Sequence, residues 1–202
     1  MEGTLREGGG SGVRLIETLL WDGGAYPRLA LHKARLAAGA QALGWGVPVW
    51  PVLPQVQAPA RVRLTMGAAG DHAVEVAALP EAKPLWRLGL AEARLQSGDP
   101  WLRVKSTRRA VYDDARAGLV GGLDEVVFAN ERGEVCDGTI TTLFFDRGQG
   151  MRTPPLSSGL LPGVLRAELG CPEEVLLVGD LADVRLWVGN ALRGVCAAVW
   201  VG

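Results

Sequence analysis

The chain has 202 residues, 48% of them hydrophobic and 21% charged, with a formal net charge of −1. This is ordinary globular composition, and a charge so near zero gives no sign of a nucleic-acid or acidic-membrane partner. Three scattered cysteines without a C-x-x-C pair argue against a disulfide framework or a structural zinc site, and two histidines leave little from which to build a metal centre or a Ser-His-Asp triad.

No apolar run approaches the roughly 20 residues that span a bilayer. The start MEGTLREGGGSG lacks the basic-then-apolar pattern of a signal peptide, so a cytoplasmic protein with a flexible segment over residues 1–12 is expected. Residues 13–21 (VRLIETLLW) read as a strand closed by an Asp-Gly turn. After Pro27, Leu29, His32, Leu36, Ala40 and Leu43 recur at helical spacing, which predicts an amphipathic helix over residues 29–43. Four prolines make residues 47–59 a connection. RVRLTM and HAVEVAAL flank GAAGD, a hairpin signal.

A short strand is expected over residues 85–95, and SGDP marks a boundary near Gly98 to Pro100. The apolar run WLRVK reads as a strand ending in Lys105, and RRAVYDDARAGL as a helix stopped by Gly121-Gly122. DEVVFAN, EVCDG and TITTLFF follow as strands with turns between them. The stretch TPPLSSGLLPGVLR is a small-residue loop leading into a helix over residues 163–169. EVLLVGD, VRLWVGN and VCAAVWV read as three closing strands. Strands and helices alternate without a regular βαβ repeat, so the fold class is α+β, with a small N-terminal domain over residues 1–98 and a larger C-terminal domain over residues 99–202.

Four features could carry chemistry, and each has an ordinary structural explanation. Only Lys33, Lys83 and Lys105 among the basic residues are lysines, so an amine nucleophile has few candidates, while Lys105 taken alone reads as a solvated strand end. Asp137 before Gly138 reads as a turn residue. The helix start after Pro162-Gly163 could seat an anion, because the first backbone N–H groups of a helix lack partners within it. Arg35 reads as a solvated or salt-bridged helix cation, and His32 as a core histidine on the apolar face of the same helix.

Their order is more informative than any one of them. H-x-x-R-L is followed by K-x-x-x-R, then G-E-V-x-[acid]-G-T-x-x-x-L-F, T-P-P-x-x-x-G-x-L-P-G-V-x-R and G-N-A-x-R-G. This series resembles the class IV aminotransferases, the fold-type IV pyridoxal phosphate (PLP) enzymes that include branched-chain and D-amino-acid aminotransferases and aminodeoxychorismate lyase. The resemblance implies a two-domain fold-type IV architecture, here with a shortened N-terminal domain, and a homodimer acting on a small amino-acid-like substrate.

Residue by residue, the resemblance implies that Lys105 forms a Schiff base with the cofactor aldehyde, which requires a neutral amine, and then moves the proton between substrate and cofactor carbons. Asp137 stands where Glu is usual and would pair with the pyridine nitrogen, keeping the ring an electron sink. Arg35 and the backbone N–H groups of Val164 and Leu165 would hold the phosphate, with Leu165 where Thr is common. Asn190 and Ala191, after Gly189, would lie near the phosphate and the substrate carboxylate, and Thr141 would line the cofactor. Thr142, where Asn is more usual, has no assigned role, and Arg109 and Tyr112 are expected to pack rather than to support the lysine. The activity implied is transamination of a branched-chain or D-amino acid. Alternatives are the lyase reaction, which eliminates pyruvate to give p-aminobenzoate, and a PLP-binding protein with little turnover.

Overall fold

Asp22 ends the first strand, because its Oδ1 accepts the N–H groups of Gly24 at 2.9 Å and Ala25 at 2.7 Å and turns the chain. The structure, a computed structural model, describes Leu5 and residues 12–202, so the expected flexible start lies largely outside the described residues. Backbone contacts divide the chain into two compact units. One comprises the described residues up to Glu81 with Arg103–Arg108, the other Ala82–Leu102 with Arg109–Gly202. The division thus falls after Glu81 rather than near Gly98, and Lys105 belongs by its contacts to the first unit.

In the first unit, β1 (Leu15–Trp21), β2 (Ala60–Met66) and β3 (His72–Ala78) form an antiparallel sheet in the order β1-β2-β3. Alternation decides its faces: Leu15, Leu19 and Trp21 of β1 and Val62, Leu64 and Met66 of β2 are buried, and Glu17 lies among them at 1% exposure. Helix α1 (Leu29–Ala42) covers this face with His32, Leu36, Gly39 and Ala40, four of the positions that face inward at helical spacing. Gly39 lets the two approach, since a Cβ there would stand 3.1 Å from Leu15.

In the second unit, six strands form a mixed sheet in the order β6-β5-β4-β9-β8-β7. They are β4 (Leu85–Leu95), β5 (Glu125–Asn130), β6 (Val135–Gly138), β7 (Thr142–Asp146), β8 (Arg185–Asn190) and β9 (Gly194–Trp200). β5, β4 and β9 run parallel at its centre and the outer pairs are antiparallel. The run EVVFAN of β5 is buried throughout, as expected of a strand covered on both faces. Val127 joins one apolar cluster with Leu88, Leu143, Phe145, Leu186 and Val188, while Val126 and Phe128 join another with Leu95, Cys136 and Leu160. Helices α2 (Ala110–Ala117) and α3 (Val164–Leu169) complete the unit's α-helices.

Two expected strands do not form. WLRVK is a 3-10 helix, Pro100–Arg103, started by Asp99, whose Oδ1 accepts the Trp101 N–H at 2.9 Å. Trp101 and Leu102 of this helix and Val104 after it are buried, and only Ser106 bridges to a strand residue, Leu15. EVLLVGD is an irregular segment ending in a 3-10 helix, Val178–Asp183, in which buried Leu176 and Leu181 act as pegs and Leu177 makes one bridge to Glu134.

Candidate active site

Each unit carries part of the residue set expected from the sequence. In the first, Arg35 projects from α1 toward β1, where Glu17 accepts from its Nε at 2.9 Å and its Nη2 at 2.6 Å. Glu17 also faces His32 Nδ1 at 2.6 Å, so one buried carboxylate orients both side chains. The bidentate grip fixes the guanidinium plane and leaves its Nη1 edge for another acceptor. Lys105 is half-buried. Its carbonyl accepts the Ile16 N–H at 2.9 Å and the Thr107 N–H reaches Arg14 at 2.8 Å, so its backbone is held along β1 from both sides.

In the second unit the remaining residues gather at one end of the six-stranded sheet. Asp137, 6% exposed, closes β6 and accepts the Leu161 N–H at 3.2 Å, which ties it to the loop before α3. Burial first, and then the nearby Asp137 carboxylate, push the Tyr112 phenol far above its ordinary range. Helix α3 begins at Gly163 without a side-chain cap, with Val164 and Leu165 buried in its first turn. Thr142 has a packing role: a Cβ on Gly163 would stand 2.5 Å from its Oγ1. Gly189 is equally constrained, because a Cβ there would overlap the Gly194 carbonyl and stand 2.7 Å from Leu165. Gly189→Ala is therefore expected to cost about 1–3 kcal/mol as an overpacking change, read as a fall in the denaturant midpoint.

Several assigned side chains are engaged within the fold. Asn190 Oδ1 accepts the N–H groups of Leu192 and Arg193, both at 3.0 Å, and its Nδ2 donates to the Ile140 carbonyl at 3.1 Å, so it shapes the β8–β9 turn. Ala191 is buried in that turn. The Thr141 hydroxyl donates to Glu125 at 2.9 Å. Arg109 does more than pack: it lies over the Tyr112 ring and donates from Nη2 to the Thr139 carbonyl at 2.9 Å. Glu17 and Glu125 were missed by sequence reasoning. In each case the signal was a carboxylate at a strand position whose neighbours place it indoors, where charge requires partners.

The residue types suit a cofactor with a basic ring nitrogen at one side and a phosphate at another. In the second unit a buried carboxylate stands at Asp137 and accepts the N–H of Leu161, in the loop that leads into the uncapped start of α3; in the first unit, by itself, Glu17 orients the Arg35 guanidinium. Among the described residues no group of His, Cys, Asp and Glu could hold a metal ion, and no helix is long and apolar enough to cross a membrane.

Comparison with known proteins gives the family of the chain. Residues 14–199 match the amino-transferase class IV family, and the chain belongs to that family, whose members are PLP-dependent transaminases and lyases. A candidate aminodeoxychorismate lyase of Schizosaccharomyces pombe is 29% identical over 170 residues, 77% of this chain and 72% of its own. The crystal structure of a candidate amino-acid aminotransferase from Mesorhizobium loti is 39% identical, covers 94% of this chain and 100% of its own, and has a TM-score of 0.87. A hypothetical aminotransferase from Mycobacterium tuberculosis, with α-ketoglutarate and PMP bound, has a TM-score of 0.75 over 94% of this chain and 81% of its own; at 22% identity it bears on fold alone. The α+β architecture is that of fold-type IV PLP enzymes.

Proposed function

We propose that this chain is a PLP-dependent aminotransferase acting on an amino acid of the branched-chain or D-amino-acid type. The observation that carries the reading is the buried Asp137 carboxylate hydrogen-bonded to the loop that leads into the uncapped start of α3, within a chain of the family. The 39% identical relative described as an amino-acid aminotransferase favours transamination. When bound, the cofactor supplies an electron sink for the substrate carbon that loses a proton.

The chain's own residues do the rest. Lys105 Nζ would hold the cofactor covalently and, once displaced, would move the proton. Asp137 would pair with the ring nitrogen and keep a proton on it. As the family resemblance implies, Arg35 of the first unit and the backbone N–H groups of Val164 and Leu165 of the second would each serve as phosphate-binding groups. The turn shaped by Asn190, with Ala191, would meet the substrate carboxylate through its backbone.

The lyase reaction is a second reading, favoured by the 29% identical relative described as an aminodeoxychorismate lyase. Product analysis separates the two. The aminotransferase should convert an amino acid to its keto acid only with a keto-acid acceptor present. Formation of pyruvate and p-aminobenzoate from aminodeoxychorismate without an acceptor would instead make it the lyase, and binding of PLP with neither conversion would make it a binding protein with little turnover.

The proposal includes a cytoplasmic homodimer. Val47, Val49 and Val52 in the connection after α1 are 91%, 80% and 98% exposed, apolar surface that a second copy would cover. Sedimentation at micromolar concentration is expected to give twice the chain mass, and a stable monomer would overturn this part.

A further inference from the structure

The turn that follows Asp137 is built on a buried acid. The Gly138 N–H closes it by donating to the Thr141 carbonyl at 2.8 Å, and Glu125, at the start of β5 and 0% exposed, lies beneath it. Glu125 Oε1 accepts from the Thr139 N–H at 3.1 Å, the Thr139 hydroxyl at 2.5 Å and its own neighbour's N–H, that of Val126, at 3.1 Å. Its Oε2 accepts from the Ile140 N–H at 3.2 Å and the Thr141 hydroxyl at 2.9 Å. Arg116 Nη1 stands 3.5 Å from Oε1 as the countercharge.

The contact is close. A Cβ on Gly138, the residue directly after Asp137, would stand 2.8 Å from Glu125 Oε2, so glycine allows the chain to lie on the carboxylate. The turn's carbonyls are held as well, Thr139 by Arg109 at 2.9 Å and Ile140 by Asn190 at 3.1 Å. The turn is thereby held through the N–H groups of Thr139 and Ile140 by Glu125, and through their carbonyls by Arg109 and Asn190. Aspartate has a short side chain, and the place of its carboxylate follows the place of its backbone.

We infer that Glu125 is a positioning residue for Asp137: by gripping the turn over residues 138–141 it fixes where the Asp137 carboxylate stands toward the cofactor ring. This rests on the role of Asp137 stated above. A carboxylate offers only acceptors, which is what two N–H groups and two hydroxyls of the turn require. An amide in its place presents two hydrogens to donors, so Glu125→Gln keeps the volume and inverts half of the grip. A displacement of about 1 Å at a reacting group costs on the order of 10²-fold in rate.

Glu125→Gln, Glu125→Asp and Asp137→Asn are compared with the unaltered protein by two readouts. The first is amide exchange at Leu161, whose N–H is donated to Asp137, normalised to the amides of β8. The second is the pH titration of the visible band of the PLP-loaded protein. Glu125→Gln is expected to lower Leu161 protection about 10-fold relative to β8 and to shift the band's titration in the same direction as Asp137→Asn, with Glu125→Asp in between. If Glu125→Gln lowers the melting temperature while both the normalised Leu161 protection and the titration stay unchanged, Glu125 is structural only and the inference is overturned. If Asp137→Asn itself leaves the titration unchanged, the cofactor role of Asp137 fails and the positioning role fails with it; loss of Leu161 protection in Glu125→Gln then still shows the grip on the turn, so the two failures are told apart.

Discussion

Lys105→Ala is expected to reduce conversion of any amino donor by about 10⁴-fold or more, since proton transfer by a positioned group alone contributes about 10²–10⁴-fold and the covalent attachment is lost as well. The fold should survive. Lys105 is half-buried, and its place is set by its backbone, through the Ile16 N–H that its carbonyl accepts and the bridge of Ser106 to Leu15, none of which needs the side chain. The measurement is a visible spectrum of the PLP-loaded protein before and after borohydride. The unaltered chain should show a yellow band that reduction fixes to the Lys105 peptide, while the variant should show neither the band nor the fixed adduct. A band fixed to the Lys33 or Lys83 peptide would remove Lys105 from its assigned place.

The second large effect concerns Glu17, and it is one of stability as well as anion binding. Glu17→Ala leaves the Arg35 guanidinium and the fully buried His32 ring without their shared acceptor, and breaking a buried pair by removing one partner costs about 3–5 kcal/mol. Chemical denaturation followed at several pH values is the check. Burial pushes the Glu17 carboxyl upward, but Arg35 and His32 together overcome that and hold it below its ordinary value. A carboxylate depressed in the folded state stabilises fully above its unfolded pKa of about 4.3 and loses that contribution as pH falls through the lower folded value. The gap between the unaltered chain and Glu17→Gln should therefore be widest at neutral pH and close progressively below about pH 4. A gap independent of pH would mean that Glu17 is not ionised in the folded protein. The same variant should weaken phosphate binding, because Arg35 loses the grip that orients its remaining edge.

Much of the fold was legible because its burial follows simple periods. Helix α1 keeps three of its inward residues, His32, Leu36 and Ala40, at helical spacing, and β2 alternates residue by residue before the glycine-rich turn that joins it to β3. Reading failed where an apolar run was held by something other than a strand ladder. WLRVK is as apolar as a strand, but Pro100 cannot donate a backbone hydrogen and Asp99 caps a tight turn, so the run winds with a period of three. EVLLVGD fails similarly, since alternating burial around Leu176 was supplied by one bridge and two side-chain pegs.

The candidate site shows the same contrast. Lys105, Arg35 and Asp137 could be named from their order along the chain, but the carboxylates that orient them could not, because Glu17 and Glu125 take their meaning from residues 15 and 14 positions away, His32 and Thr139. Asn190 was named from its place in the G-N-A-x-R-G motif, and its side chain proves to be engaged by its own turn.

The strand order of the second unit bears on how this chain is made. β9 lies between β4 and β8, although four strands separate it from β4 along the sequence. Until residues 194–200 have left the ribosome, β4 and β8 each present a bare edge and the sheet exists as two separate ribbons. Assembly of the unit therefore cannot proceed in step with translation, and it joins its most distant segments at the centre of the sheet, a topology that slows folding and lengthens the time for which those edges are open to other chains.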